Sequence, residues 1–234
     1  VTAVCPTTRH VDMLVDRYAR NQRVAAIVRA ALDLAGCSGK IVVEKTQSTT
    51  SFVELVRGYT FDLHAVFPID VNFLNPRIAV IDGYIESVAE AHHLFQAASE
   101  AKEPMVLFAR GFHDDVKSTL RVNYDRGSLR IVPIEVRFDL EGMNTLVDIS
   151  VVSGSDLVSS LKGDLITSMK YQDLSYVDQV TVFRGKTMIV NRASRQRVAA
   201  HVSQLRARRS DERVDDVARL LDARVRSLSP NHVV

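Results

Sequence analysis

Three short apolar segments between residues 78 and 135 alternate with two segments of helical periodicity, and this alternation constrains the fold more than any other feature. The apolar segments are Ile78 to Ile81, Met105 to Ala109 and Leu129 to Ile134. Because they lack polar alternation, they are typical of parallel strands that are covered on both faces. Parallel strands need crossover connections, so the stretch predicts a βαβαβ unit and an α/β fold class.

The two crossover helices are predicted over residues 85–101 and 113–124. Pro104 requires the first helix to end before it, and Asp114 is the expected N-cap of the second. Each helix has an apolar stripe, which we expect to pack against the sheet. The stripe residues expected to hold the sheet are Ile85, Val116 and Leu120.

The segment before this unit changes character twice. Residues 9–35 have helical spacing, and Gly36 is a suitable C-cap. Strands are predicted at 41–44 and 52–56, because both are rich in β-branched residues and a polar turn separates them. Residues 57–77 carry apolar anchors between glycine and proline breaks, which predicts an ordered, extended segment.

The segment after the unit contains a helix and a hairpin. Residues 143–154 are predicted to form a helix that closes at Gly154. Residues 178–191 are predicted to form a β-hairpin that turns at Arg184 and Gly185.

Residues 193–228 are rich in arginine and predict a helical hairpin with a break at Arg209 and Ser210, where Ser210 would cap the second helix. Acidic residues interleave with the arginines, which favours a solvated, ion-paired helix face over a nucleic-acid surface. The C-terminal arginines, counted from the residue just before this range, are Arg192, Arg195, Arg197, Arg206, Arg208, Arg209, Arg213, Arg219, Arg224 and Arg226.

The composition of the chain is that of an ordinary globular protein. It has 234 residues, 46% of them hydrophobic and 25% charged, and its net charge of +2 provides no overall field that would attract nucleic acid or a membrane. Two cysteines, Cys5 and Cys37, are too few for a disulfide framework and indicate a reducing compartment. No apolar run has the length of a membrane span. The chain begins without methionine, so we expect an excised fragment.

Common catalytic and ligand motifs are incomplete. The string GCSGK (36–40) lacks the spacing of a phosphate loop, and Gly83 after the first strand is not followed by a dinucleotide fingerprint. The string SGSDL (153–157) is not a nucleophile elbow. The seven histidines show no metal-ligand spacing, so no metal site is predicted.

Several strings, taken in order, resemble the GroEL-type group I chaperonins. They are AALDLAGCSGKIVVE (30–44), VELVRGYTFD (53–62), STLRVN (118–123), LVDIS (146–150) and RQRVAAHVSQLR (195–206). The resemblance extends over most of the chain. It implies an apical domain at 39–191 with an apical-domain-like layered sheet, and a discontinuous α-helical intermediate domain at 1–38 and 192–234. Both equatorial halves of such a protein are absent from this sequence.

The resemblance also implies a function. Apical domains of the family bind non-native polypeptide, and a co-chaperonin loop, between two helices and a nearby extended segment. Where the family has mainly leucine, valine and tyrosine, this chain has His92, Lys117 and Arg121, so its groove is expected to be less apolar. The positions matched to the groove are Ala65, Phe67, His92, Leu94, Phe95, Lys117, Arg121 and Val122.

Asp215 aligns with the family aspartate that activates water on ATP, and Asp216 is a neighbouring alternative. The resemblance implies ATP and Mg²⁺ as cofactors of the full-length protein, a homo-oligomeric ring and a cytoplasmic location. The phosphate loop of the family is absent from this sequence, so the fragment is expected to bind no cofactor and to have no ATPase activity alone.

An α/β domain for small molecules is the alternative interpretation. In such folds, ligands bind at the carboxyl ends of the strands, which here carry Asp82 and Arg110. A polar pocket at those residues, without a groove between the helices, would favour that alternative.

Overall fold

The computed structural model describes residues 8–19, 21–35, 40–41, 50–51, 53, 55–183, 185–228 and 231–233. The chain divides into two compact units, one of Val1–Tyr59 with Ser229–Val234 and the other of Thr60–Leu228. The division into an apical domain at 39–191 and intermediate segments at 1–38 and 192–234 stays a prediction.

Helices and strands alternate through most of the chain, as an α/β fold requires. The helices are α1 (Thr8–Tyr18), α2 (Gln22–Ala35), α3 (Val88–Ala101), α4 (Asp114–Asp125), α5 (Leu140–Ser153), α6 (Arg195–Asp211) and α7 (Asp215–Ser227). The strands are β1 (Lys40–Ile41), β2 (Leu55–Arg57), β3 (Tyr59–Phe61), β4 (Val71–Leu74), β5 (Arg77–Asp82), β6 (Tyr84–Ile85), β7 (Met105–Ala109), β8 (Gly111–Phe112), β9 (Ile131–Glu135), β10 (Leu157–Ser159), β11 (Ser175–Tyr176), β12 (Gln179–Phe183), β13 (Lys186–Val190) and β14 (Asn231–Val233).

The central sheet has the strand order β10-β5-β7-β9, and all neighbours in this order are parallel. Its register aligns Val80 with Phe108 and Phe108 with Ile134. Helix α3 connects β5 to β7 and α4 connects β7 to β9. The predicted βαβαβ unit is therefore confirmed, with the three apolar segments at its centre.

Both crossover helices turn an apolar stripe inward. Val116 and Leu120 of α4 are fully buried in one core cluster with the strand residues, as expected. Ile85 is fully buried in the same cluster, but it lies on β6 and not on the predicted helix, because α3 begins at Val88. The predicted N-cap of α4 is wrong by one residue: His113 is the cap, and its Nδ1 accepts a hydrogen bond from the backbone N–H of Asp115 at 3.3 Å. A lone ring nitrogen can cap a helix as a carboxylate does, because it also presents an acceptor to the orphan N–H groups.

A second, antiparallel sheet has the order β3-β13-β12-β4. The predicted hairpin is formed by β12 and β13, with Gln179 opposite Val190 and Phe183 opposite Lys186. Gly185 has a φ of 78°, which suits a tight turn and is costly for other residues. Residues 62–70 lead from β3 to β4 and bring part of the candidate site beside the central sheet.

The other unit contains α1, α2 and a small sheet of the order β1-β14-β2. The predicted helix over 9–35 is interrupted between Tyr18 and Gln22. Cys5, Cys37, the predicted cap Gly36 and residues 42–44 of a predicted strand lie outside the described residues.

The helical hairpin at the end of the second unit differs from expectation in two ways. Helix α6 continues through Ser210 to Asp211, so Ser210 does not cap α7, and its hydroxyl donates instead to the carbonyl of Ala207. The hairpin is also less ion-paired than predicted. Only Arg209, Arg219 and Arg224 of the ten arginines pair with a carboxylate of the described residues. Helix α5 closes at Gly154 in the left-handed region, as predicted.

Candidate functional site

The extended segment at 62–70 lies along the outer edge of β9. Ala65 forms an isolated antiparallel bridge with Ile134, and the N–H of Val66 donates to the carbonyl of Pro133 at 3.0 Å. These bonds fix the segment beside helix α4, which precedes β9 in the chain. Ala65 is half-buried and the ring of Phe67 is 7% exposed.

Helix α4 contacts this segment through two residues of one face. The ring of Tyr124 lies 6.0 Å from that of Phe67 at an interplanar angle of 51°, and the guanidinium carbon of Arg121 lies 5.3 Å from the centroid of the Phe67 ring. Such cation–π and tilted ring contacts are each worth about 0.5–1.5 kcal/mol. Arg121 also donates from Nε to Asp125 Oδ2 at 2.7 Å. Burial raises the pKa of Tyr124.

Lys117 lies one turn before Arg121 and is placed between two carboxylates. Its Nζ is 3.7 Å from Glu135 Oε2 at the end of β9 and 3.9 Å from Asp114 Oδ1. The side chain remains about a third exposed. The structure therefore brings Ala65, Phe67, Lys117 and Arg121 together along one side of α4.

Two further predicted residues face outward. His92 is exposed on α3, and Val122 is 44% exposed on α4. Among the described residues of these two helices, Val122 is the one large apolar side chain with such exposure. The surface is therefore more polar than a leucine-lined groove, as the sequence predicted.

Leu94 and Phe95 do not belong to this surface. They are 0% and 4% exposed and lie in the core cluster, so neither side chain is available to a ligand in this structure. The reason is that they share the inward stripe of α3 with Ala91 and Ala98. A segment that the sequence did not suggest, which contains the 3-10 turns Ile166–Ser168 and Tyr171–Asp173, also packs against α3. His93 Nε2 lies 2.8 Å from the carbonyl oxygen of Met169 in that segment.

A cavity of about 440 Å³ lies between the extended segment and the hairpin of β12 and β13. Most of its lining is apolar, so it suits an apolar side chain better than a charged one. The lining residues are His64, Ala65, Phe67, Pro68, Ile69, Asp70, Val182 and Gly185.

The alternative interpretation requires free polar groups at the carboxyl ends of the strands, but these groups bond to each other and to neighbouring protein atoms. Asp82 and Arg110 are each 9% exposed and form an ion pair, with Arg110 Nε donating to Asp82 Oδ1 at 2.7 Å. Ser159 donates to the other carboxylate oxygen, and Arg110 Nη1 donates to the carbonyls of Arg137 and Asp139. These polar groups therefore link strands and a loop to each other and leave no convergent set for a small molecule.

Asp215 is the first residue of α7 and is exposed. Asp216 is exposed too, but its carboxylate lies 3.6 Å from Arg219 Nη1. Within the described residues, no group of three or more histidine, cysteine, aspartate or glutamate side chains is arranged to hold a metal ion. A nucleotide site would therefore need residues beyond these aspartates.

Sequence reasoning missed Tyr124 and Glu135 at this site. Tyr124 follows Arg121 by three residues and Lys117 by seven, so the helical period alone places all three on one face. Glu135 had no such signal, because it meets Lys117 only where α4 packs against β9.

Comparison with known proteins agrees with this geometry. No protein-family model matches the chain. A curated relative, chaperonin GroEL 1 of Prochlorococcus marinus, is 26% identical over 196 residues, which are 80% of this chain and 35% of that protein. The chain is therefore similar in sequence to a GroEL-type chaperonin. It spans about a third of the length of that relative.

Two solved structures have the same fold. Both are of the chaperonin gp146 from the bacteriophage EL 2 (Pseudomonas aeruginosa) in the presence of ATP-BeFx. In crystal form II the TM-score is 0.71 at 16% identity, over 97% of this chain and 46% of gp146. In crystal form I it is 0.71 at 15% identity, over 99% and 48%. The chaperonin-like α/β fold thus extends over nearly all of this chain. None of the described helices is long and apolar enough to cross a membrane.

Proposed function

We propose that this chain binds non-native polypeptide segments as the apical-domain-like part of an ATP-driven ring chaperonin. We name the binding region the α3–α4 surface. It consists of Ala65, Phe67, His92, Lys117, Arg121 and Val122. The single observation that carries the proposal is that a chain of chaperonin fold brings Phe67, Lys117 and Arg121 together beside the exposed Val122.

The chemistry of the α3–α4 surface favours a particular class of segment. Val122 and the neighbouring apolar cavity can bury apolar side chains at about 25 cal/mol per Å². Lys117 and Arg121 add positive charge, although Glu135 and Asp125 balance part of it. The preferred segments are therefore apolar residues interspersed with acidic ones.

Fluorescence anisotropy tests this proposal with labelled, reduced and carboxymethylated α-lactalbumin as the unfolded polypeptide. Val122→Glu should weaken binding by about fivefold or more, because it removes apolar area and adds a repelling charge. The matched control is Val214→Glu, which makes the same change at a residue that is 57% exposed and lies between α6 and α7. Equal affinities of the two variants would contradict the proposed surface.

The ATP-driven part of the proposal concerns a longer protein that contains this chain. There, Asp215 would orient the water that attacks ATP, while Mg²⁺ and other residues would stabilise the phosphate charge. Asp215 is preferred over Asp216 because the Asp216 carboxylate pairs with Arg219, whereas Asp215 forms no ion pair among the described residues. In such a ring, Asp215→Ala should lower ATP hydrolysis by about a hundredfold and Asp216→Ala by much less. The reverse order would reject this assignment.

A co-chaperonin loop is the second ligand that we propose for the α3–α4 surface. Such a loop should compete with unfolded polypeptide for the same residues. Val122→Glu should then lower the affinity for both ligands by similar factors. A loop that bound this variant and the unchanged chain with equal affinity would refute the shared site. We propose a cytoplasmic location for the complex.

A further inference from the structure

Helix α6 presents positive charge that the rest of the described chain does not neutralise. It contains five arginines and one acidic residue, Asp211. Arg209 pairs with Asp222 of α7, but Arg195, Arg197, Arg206 and Arg208 have no carboxylate partner among the described residues. All four of these are exposed. The helix is therefore a local basic surface on a chain whose net charge is only +2.

The four unpaired arginines form two rows. Arg195 and Arg206 are eleven residues apart, as are Arg197 and Arg208. Eleven residues make just over three whole turns, so each pair lies on one line about 16 Å long. Arg195 and Arg197 are about 200° apart around the axis, so the two rows flank opposite sides of the helix.

The remaining contacts of α6 set the direction of this surface. Val198 and Leu205 are 3% and 2% exposed and form the inward face. His201 lies between that face and the Arg197–Arg208 row, with its Nε2 2.8 Å from Asp148 Oδ1 on α5. The guanidinium of Arg197 lies over Gly154, at the carboxyl end of α5. The opposite face, between the two rows, points away from α5 and α7.

That outward face carries uncharged side chains, and three of its four exposed residues are small. Its exposed residues are Gln196, Ala200, Ser203 and Ala207. Small side chains allow another helix to approach closely, while arginines on both flanks can pair with its carboxylates. We propose that α6 binds an acidic helical segment of a partner protein, through Arg195 and Arg206 on one flank and Arg197 and Arg208 on the other.

The charge pattern favours a short acidic helix over nucleic acid. Asp211 and Glu212 follow the last arginines of α6, and Asp215 and Asp216 begin α7, so the end of the hairpin is acidic. A duplex that continued along the helix axis would meet these carboxylates, and repulsion would oppose it. A partner helix about as long as the rows would end before them.

Anisotropy with a labelled model peptide tests this inference. The probe is an alanine-based helical peptide with glutamates at i, i+4, i+7 and i+11, titrated with the whole chain. The test variant is the double reversal Arg206→Glu with Arg208→Glu. The matched control, Arg126→Glu with Lys162→Glu, changes net charge equally at exposed residues that have no ion pair among those described.

We expect the α6 double reversal to lower the affinity for the peptide at least tenfold and the control to change that affinity less than twofold. Added salt should lower the affinity of the unchanged chain for the peptide. Circular dichroism will check that the variants keep their helices. Equal effects of the two double reversals would overturn the proposal. The proposal would also be overturned if a DNA duplex of equal charge, or unstructured polyglutamate, bound at least as tightly as the helical peptide.

Discussion

Arg224 donates two hydrogen bonds to the carboxylate of Asp148, from Nε to Oδ2 at 2.9 Å and from Nη2 to Oδ1 at 2.7 Å. Both residues are buried, at 9% and 2% exposure. Asn144 accepts a further bond from Arg224 Nη1, and His201 adds a contact to Asp148 from α6. One buried carboxylate thus joins α5, α6 and α7, and it fixes the helix that begins with Asp215.

Replacing Arg224 with alanine should lower the free energy of unfolding by about 3–5 kcal/mol, because it leaves the Asp148 carboxylate buried without its main partner. Urea denaturation followed by circular dichroism measures the change. Arg226→Ala is the control, since Arg226 lies two residues away and has no ion pair with a described residue. Similar midpoints for both variants would mean that the pair contributes no net stability.

The sequence predicts this region only in part, and the reason is sequence separation. Helices α5 and α6 follow from local periodicity, and the cap at Gly154 follows from the preference of glycine for positive φ. The bond between Asp148 and Arg224 joins residues that are 76 positions apart, and no local pattern indicates it.

The candidate site shows the same limit. Val122 and Lys117 were placed correctly on α4, because the helical period fixes which residues share a face. Phe95 is expected beside them, but it lies on the inward stripe of α3 with Ala91 and Ala98 and is buried in the core cluster. The outward face of a helix can be predicted from its own sequence only where no other segment covers it.

Gly142→Ala should destabilise the protein, although alanine is the better helix former by about 1 kcal/mol. A Cβ at Gly142 would overlap the carbonyl oxygen of Arg137 and lie 2.9 Å from Arg110 Nη1, so the loop before α5 would have to move. We expect a loss of about 1–3 kcal/mol in urea denaturation. At Gly83, the control, a Cβ would meet its nearest neighbour at 3.6 Å. A Gly142→Ala variant that gained stability would show that the loop adapts freely.

Glu103 should make stability depend on pH in the acid range. Its carboxylate accepts hydrogen bonds from Arg77 at 2.9 Å and from the hydroxyls of Tyr171 and Tyr176 at 3.0 Å. The bond from Arg77, more than the two tyrosines, lowers the pKa of Glu103, while burial opposes the shift. Because the folded pKa lies below the unfolded one, the stabilisation is complete above the unfolded value and is lost as the pH falls through the folded value.

Glu103→Gln tests this dependence, because glutamine keeps the shape of the side chain without its charge. The unchanged protein should be the more stable of the two at neutral pH, and the difference should shrink as the pH falls below about 4.5. Denaturation midpoints at a series of pH values measure it. A difference that stayed constant down to the acid limit would show that the charge of Glu103 is not what the arginine and tyrosines stabilise.

Truncation of Phe95 should lower the free energy of unfolding far more than truncation of Val122, since Phe95 is 4% exposed and Val122 is 44% exposed. Phe95→Ala removes a ring from the core cluster and should cost about 3–5 kcal/mol of unfolding free energy. Val122→Ala should change stability by about 0.5 kcal/mol or less, because its side chain is already largely in water. The same pair separates stability from binding. Val122→Ala should lower the affinity for unfolded polypeptide without changing the denaturation midpoint. If Phe95→Ala were as stable as the unchanged protein, Phe95 would not be part of the core cluster in solution, and it would again be a candidate for the α3–α4 surface.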